Sequence, residues 1–158
     1  MPEVTSFEDV LEQEGRLIYK NVGVSMMPLL RQNRDLMVIE KCDVNKLKDL
    51  DAVLFKRKNG AYVLHRIINR RSDGNYFIVG DNCVSGEVVA PSQILGKLTG
   101  VIRDGKQVNF NGFLYKLYLQ LWIKPYKLRF NLIPIISLPR RAAGWLKRRI
   151  LNLIKRGS

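Results

Sequence analysis

The middle of the chain alternates short apolar runs with turn dipeptides, and this pattern constrains the fold more than any other feature. Asn59-Gly60, Asp73-Gly74 and Asp104-Gly105 each stand between two runs rich in Val, Ile, Leu, Phe and Tyr. Such dipeptides favour the tight turns that join antiparallel strands, and we expect two-residue hairpin turns at Asn59-Gly60 and Asp104-Gly105. The predicted strands are residues 36–40, 52–55, 62–68, 76–79, 95–103 and 107–110. We therefore expect a mainly β (α+β) fold, with its β-domain over residues 20–112.

The segment before this domain predicts one short helix over residues 5–14. Thr5 or Ser6 can cap its N-terminus, acidic side chains crowd its first turn, and Gly15 follows its end. This acid-rich start differs from the basic and then apolar segments of a secretory signal, so we expect no cleavable signal peptide. Residues 1–19 are thus interpreted as an N-terminal helix and lead-in.

The distribution of charge sets the end of the chain apart. The chain has 27 Lys and Arg against 14 Asp and Glu, a formal net charge of +13. Residues 113–158 contain 11 of the basic residues and none of the acidic ones. Because residues 1–112 are nearly neutral, we expect no nucleic-acid partner for the domain.

Within this basic segment, residues 140–156 have the pattern of an amphipathic helix. Apolar residues recur there at spacings of three and four, with Trp145 beside them and Arg and Lys at the remaining positions. They are Ala143, Leu146, Ile150, Leu153 and Ile154. This composition is typical of a helix at a membrane surface, and the alternative is a helix that packs on the β-domain. We interpret residues 113–158 as a basic amphipathic tail that associates with membranes.

Two residues of the domain are candidates for chemistry. His65 lies on a predicted strand and shares one face with Val63 and Ile67. Ser25 lies shortly before Pro28, at a bend that would expose its hydroxyl as a nucleophile. Taken separately, His65 is better explained as a structural histidine and Ser25 as a capping residue.

Cysteine and histidine are too few to indicate a metal site or a disulfide framework. The chain contains Cys42, Cys83 and one histidine. A structural zinc site needs four ligands, and a domain of this size can bury a core without a disulfide. We therefore interpret both cysteines as ordinary thiols and expect no metal and no cofactor.

Several short motifs follow one another along the domain. They are Ser25-Met26-Met27-Pro28, Asp35, Asp51-Ala52-Val53-Leu54-Phe55, His65-Arg66-Ile67, Gly80-Asp81-Asn82 and Ile94-Leu95-Gly96-Lys97. Over about residues 20–102 this order resembles the signal peptidase I family, specifically its endoplasmic-reticulum and archaeal-type branch. In that branch a histidine stands where bacterial members have a lysine. The resemblance implies the antiparallel β-domain that signal peptidases share with LexA-type repressors, preceded here by a short helix and followed by a basic helical tail.

The resemblance also implies roles for individual residues. Ser25 would attack the scissile carbonyl, and His65 would take its proton. Two carboxylates are candidates for orienting His65: Glu87, six residues beyond the aspartate of the Gly-Asp motif, and Asp81 itself, with Glu87 favoured. The positions implied to surround the substrate and the oxyanion are Gly23, Met26, Met27 and Pro28.

Together these features predict a serine endopeptidase that cleaves a leader or signal-like peptide from a precursor. The tail would hold it peripherally on the cytoplasmic face of a membrane that contains anionic lipid. The alternative is a catalytically weak or inactive family member that acts as a peptide-binding or membrane-adaptor module. Three departures from the family favour this alternative. Gly23 stands where many relatives have a serine, and residues 82–87 lack the family's paired aspartates. In addition, no N-terminal membrane anchor is visible in the sequence.

Overall fold

The structure is a computed structural model that describes residues 6–128 and contains one antiparallel β-sheet. The strands are β1 (Arg16–Lys20), β2 (Leu36–Glu40), β3 (Ala52–Lys56), β4 (Tyr62–Arg70), β5 (Tyr76–Val79), β6 (Gly86–Val89), β7 (Ile94–Arg103) and β8 (Lys106–Gln107). The helices are α1 (Phe7–Glu14) and α2 (Phe113–Tyr118), with 3-10 turns at Val44–Lys46 and Pro91–Gln93 and a π-helical turn at Leu119–Ile123. The predicted mainly β (α+β) architecture is confirmed.

The sheet has the strand order β1-β2-β7-β3-β4-β5-β6, with β8 paired to the end of β7. The register shifts in the pairs β2–β7, β3–β7 and β4–β5. Such irregularities bend and twist the strands, which lets a sheet curl around its own core. All residues of β3 from Ala52 to Phe55 are buried, because apolar clusters cover both of its faces.

The N-terminal helix is confirmed, and the sheet begins earlier than predicted. The Ser6 hydroxyl accepts a hydrogen bond from the Asp9 amide, and the Asp9 carboxylate accepts one from the Ser6 amide. Gly15 ends α1 with a φ of 68°. Because β1 follows at once and pairs with β2, the sheet starts at Arg16 rather than near residue 20.

The three turn dipeptides lie at hairpin turns of two kinds. Asp104 and Gly105 have φ of 49° and 75° and join β7 to β8 as a two-residue turn. Gly60 and Gly74 also have positive φ, of 84° and 80°, but each ends a three-residue loop. Asn59-Gly60 is therefore part of a longer turn than the two-residue one predicted, with glycine in the left-handed position that such loops require.

The last predicted strand, residues 107–110, is wrong beyond its first residue. Of these four residues, only Gln107 belongs to a strand, β8 (Lys106–Gln107), which pairs with the end of β7. The Asn109 side chain accepts a hydrogen bond from the Asn111 amide at 2.8 Å. Such local bonds compete with strand pairing, which explains the early end.

Residues 113–123 pack against the domain. Tyr115 and Tyr118 of α2 contact the apolar core, and Ile123 is buried. The predicted boundary between domain and tail thus falls within packed structure. The basic helix predicted for residues 140–156 lies outside the described residues. None of the helices within residues 6–128 combines the length and the apolar character that crossing a bilayer requires.

Candidate active site

Ser25 and His65 line one cavity of about 390 Å³. Gly23, Met26 and Cys83 belong to the same lining. The segment after β1 supplies one wall, β4 supplies His65, and the loop after β5 supplies Cys83. The fold therefore brings the two candidate residues for chemistry into a single cleft.

Ser25 lies in a tight turn between β1 and β2. The Met27 amide donates a hydrogen bond to the Val24 carbonyl at 3.1 Å, and the Met26 side chain anchors the turn in the core. The Met27-Pro28 peptide bond is cis. Of the residues predicted to surround the substrate, Met27 lies at the surface and Pro28 lines a separate groove beside α2.

The loop after β5 lies directly against the Ser25 turn. The Asn82 amide donates to the Ser25 carbonyl at 2.7 Å, and its side chain donates to the Val24 carbonyl at 3.2 Å. A Cβ at Gly80 would lie 2.9 Å from both the Ser25 carbonyl oxygen and His65 Nε2, so this close approach requires glycine. The Gly-Asp-Asn motif thus holds the Ser25 turn next to His65.

His65 lies on β4, opposite Val53 of β3, and is 7% exposed. Its Nδ1 is 3.3 Å from Oε1 of Glu87 on β6. Burial lowers the pKa of His65 below its usual value of 6.5, because the imidazolium loses hydration, while the Glu87 carboxylate acts in the opposite direction. The ring is therefore neutral near pH 7, as a general base must be.

Glu87 is held beside His65 by Arg57, which directly follows β3. Arg57 donates from Nε to Oε2 at 2.8 Å and from Nη2 to Oε1 at 2.6 Å. These bonds lower the pKa of Glu87, so its carboxylate stays charged at neutral pH. Of the two carboxylates that the sequence leaves open, Glu87 lies next to His65 Nδ1. Sequence reasoning misses Arg57 because it stands between two lysines at a turn, a pattern typical of solvated charges.

Asp81 has a different set of partners. Its carboxylate accepts hydrogen bonds from Arg66 Nε at 2.8 Å and Nη2 at 2.7 Å, and both side chains are 1% exposed. The Tyr118 hydroxyl donates another at 2.6 Å, and Trp122 Nε1 donates to the Asp81 carbonyl at 2.9 Å. Asp81 therefore joins β4, the loop after β5 and the helical segment after residue 112.

Cys83 is a residue of the site that the sequence does not identify. Its Sγ lies 4.0 Å from His65 Nε2, the ring nitrogen opposite the one that faces Glu87. The Cys83 amide donates to the Gly80 carbonyl at 2.9 Å, so a turn of the loop fixes the position of the residue. The thiol meets His65 only in the folded chain, and the one signal in the sequence is its place directly after the Gly-Asp-Asn motif.

Ser25 and His65 both line the cavity and both lie within the described residues. The structure shows no hydrogen bond between Ser25 Oγ and the His65 ring. Catalytic hydrogen bonds often tighten only when substrate is bound.

Among residues 6–128, no three His, Cys, Asp or Glu side chains are grouped so that they could hold a metal ion.

Comparison with known proteins finds no protein-family model and no curated protein that matches the chain. Function must therefore be inferred from the site.

Proposed function

We propose that the protein is a serine endopeptidase of the signal peptidase type, which removes a leader or signal-like segment from a precursor. The main support is the position of His65, whose Nδ1 faces Glu87 at 3.3 Å while the ring lines the cavity that contains Ser25. A neutral, buried histidine with a carboxylate at one nitrogen is the arrangement that a general base requires.

In the proposed mechanism, Ser25 Oγ attacks the scissile carbonyl carbon as its proton passes to His65 Nε2. Glu87 stabilises the imidazolium, and Arg57 keeps the Glu87 carboxylate in place. The tetrahedral intermediate collapses as His65 delivers the proton to the leaving amine. A water molecule, deprotonated by His65, then hydrolyses the acyl group from Ser25.

The fold that we propose is the one shared by signal peptidases and LexA-type repressors. Its support is that the motifs of the resemblance meet in one cleft: the Ser25 turn, His65 on the β3–β4 hairpin and the Gly-Asp-Asn loop after β5. An antiparallel sheet with several register shifts is compatible with this assignment.

The surface beside the cavity fits an extended peptide. β1 is at one end of the described sheet, and the chain continues from it through residues 21–24 to Ser25. Val22 and Val24 of this segment have exposed side chains. Backbone groups at a sheet edge can pair with an added strand. We infer that the substrate lies along residues 21–24 with its scissile bond at Ser25.

Incubation of the full chain with synthetic precursor peptides that contain small-residue sites tests this function. We expect wild type to cut at defined bonds, with the fragments identified by mass spectrometry. Ser25→Ala is the matched control, because it removes one oxygen from the cavity, and it should yield no fragments. Equal product from the two proteins, or none from wild type, contradicts the proposal.

The pH dependence of cleavage tests the role of His65. Because burial lowers its pKa below 6.5, the acid limb of kcat/KM should have its midpoint below pH 6.5. Glu87→Gln removes a charge that raises this pKa, so the limb should move to lower pH. Arg57→Gln removes a charge that lowers it, so the limb should move to higher pH. Shifts of the same sign in both variants would contradict the assignment.

We further propose that residues 113–158 hold the protein peripherally at the cytoplasmic face of a membrane. In the described part of this segment, Leu114, Leu117 and Leu121 are exposed at spacings of three and four. The whole segment lacks acidic residues. Exposed apolar side chains combined with positive charge favour a surface of anionic lipid.

Sedimentation with lipid vesicles measures this association. We expect the full chain to bind vesicles that contain phosphatidylserine more tightly than vesicles of phosphatidylcholine alone, and added salt should weaken the binding. A chain that ends at residue 128 should lose most of the binding, since it retains few of the basic residues of the segment. Tighter binding to duplex DNA than to anionic vesicles at the same salt would contradict the proposal.

A peptide-binding adaptor is the second candidate function. Gly23 stands where many members of the resembled family have a serine, and Ser25 Oγ makes no hydrogen bond to His65. An adaptor would hold a precursor without cutting it. Fluorescence anisotropy of a labelled precursor, recorded beside the cleavage assay, distinguishes the two functions.

A further inference from the structure

The Cys83 thiol lies on the side of His65 to which the Ser25 proton is proposed to pass. Its Sγ is 4.0 Å from Nε2, whereas Nδ1 of the same ring faces Glu87 at 3.3 Å. Cys83 and Ser25 line the same cavity. Two potential nucleophiles thus share one base.

The side chains around Cys83 include a base and a positive charge. His65 can accept the thiol proton, Glu87 stabilises the resulting imidazolium, and Arg57 lines the same cavity as Cys83. Neighbouring cationic groups of this kind activate cysteines in proteins. Cys83 is also partly exposed, so a small reactant can reach it.

Cys42 provides an internal comparison. It is likewise partly exposed and outside any disulfide, but it does not line the cavity. Burial raises the pKa of its thiol, which lowers the thiolate fraction. The two cysteines should therefore differ in reactivity within one molecule.

We propose that Cys83 is a site of covalent modification by small disulfides, such as glutathione disulfide, and that the modified residue blocks the cavity. The Cys83 thiolate attacks one sulfur of the small disulfide, and a new S–S bond forms as the disulfide's own S–S bond breaks. The departing thiolate takes up the proton that His65 removed from Cys83. The Cys83 sulfur is oxidised, and the other half of the disulfide is reduced to a thiol.

Modification of Cys83 would block access to Ser25 and His65 because the cavity that contains them is small. The cavity has a volume of about 390 Å³ and contains both Ser25 and His65. A glutathionyl group on Sγ would begin 4.0 Å from Nε2 and occupy the approach to it. This consequence rests on the proposed function, whereas the modification itself does not. Reduction by a thiol would restore the site.

Intact-mass spectrometry of the full chain, treated with glutathione disulfide near pH 7, tests the modification. We expect one adduct, assigned to Cys83 by peptide mapping, before Cys42 reacts. His65→Asn should form it at least about threefold more slowly, because the variant lacks the base that takes the thiol proton. Ser25→Ala should react as wild type does. Equal rates at Cys83 and Cys42, or a Cys83 rate no faster than in the urea-unfolded chain, would overturn the proposal.

Precursor cleavage tests the block separately. Glutathione disulfide should abolish cleavage by wild type, dithiothreitol should restore it, and whatever activity Cys83→Ala has should be insensitive to both reagents. If wild type cleaves nothing, the proposed function fails, and the mass measurement still decides whether Cys83 is activated. Continued cleavage by a fully modified chain would overturn the block.

Discussion

Ser25→Ala and His65→Ala are expected to cleave a precursor peptide at least about 10⁴-fold more slowly than wild type. The first variant lacks the nucleophile, and the second lacks the base that accepts its proton. The two residues act in one step, so the double variant should be no slower than either single variant. The measurement is kcat/KM on a fluorogenic peptide. A double variant slowed by the product of the two single effects would contradict a shared step.

Glu87→Gln should give an intermediate loss of about 10²–10⁴-fold in the same assay, because the amide keeps the size of the side chain without the charge that stabilises the imidazolium. Glu8→Gln is the matched control. Glu8 also pairs with a basic residue, Lys56 at 2.5 Å, but it lies outside the cavity lining. We expect its kcat/KM to stay close to that of wild type. Equal losses in the two variants would remove Glu87 from the proposed mechanism.

The sequence predicts the inner strands better than the outer ones. β2, β3, β4, β5 and β7 bury much of their length, so their apolar runs are visible in the sequence. β1 buries only Leu17, and β6 is four residues long and begins with Gly86. Both lie at the ends of the described sheet, where one neighbouring strand is missing and little side-chain surface is buried. Periodicity of hydrophobic residues therefore gives no signal there.

The residues of the candidate site also differ in how well the sequence predicts them. Ser25, His65 and Glu87 can be proposed from the sequence because the family resemblance carried by its short motifs implies them. Arg57 and Cys83 reach His65 through strand pairing and loop packing, which no local pattern encodes. Arg57 follows β3 and meets Glu87 from β6, two strands that are not neighbours in the sheet. Predicting that contact requires the curvature of the sheet, which a single sequence does not specify.

Asp81→Ala is expected to lower the free energy of unfolding by about 3–5 kcal/mol. Arg66 is 1% exposed and pairs with the Asp81 carboxylate through two hydrogen bonds. Removing the carboxylate leaves a buried guanidinium charge without its counter-charge. Tyr118, whose pKa is raised by burial and by the Asp81 charge, loses its acceptor as well. Urea denaturation at neutral pH, followed by circular dichroism, measures the loss.

Glu12→Ala is the matched control for this prediction. It also removes the acidic member of an ion pair, with Lys41 at 2.6 Å, but those side chains are 68% and 49% exposed. The expected loss is below about 1 kcal/mol, because water solvates both charges in either state. Asp81 also accepts hydrogen bonds from Tyr118 and Trp122, so a chain cut at residue 112 would keep the Arg66–Asp81 pair but lose these two bonds, and we expect it to be less stable as well. Similar losses in Asp81→Ala and Glu12→Ala would contradict the larger contribution that we assign to the buried Arg66–Asp81 pair.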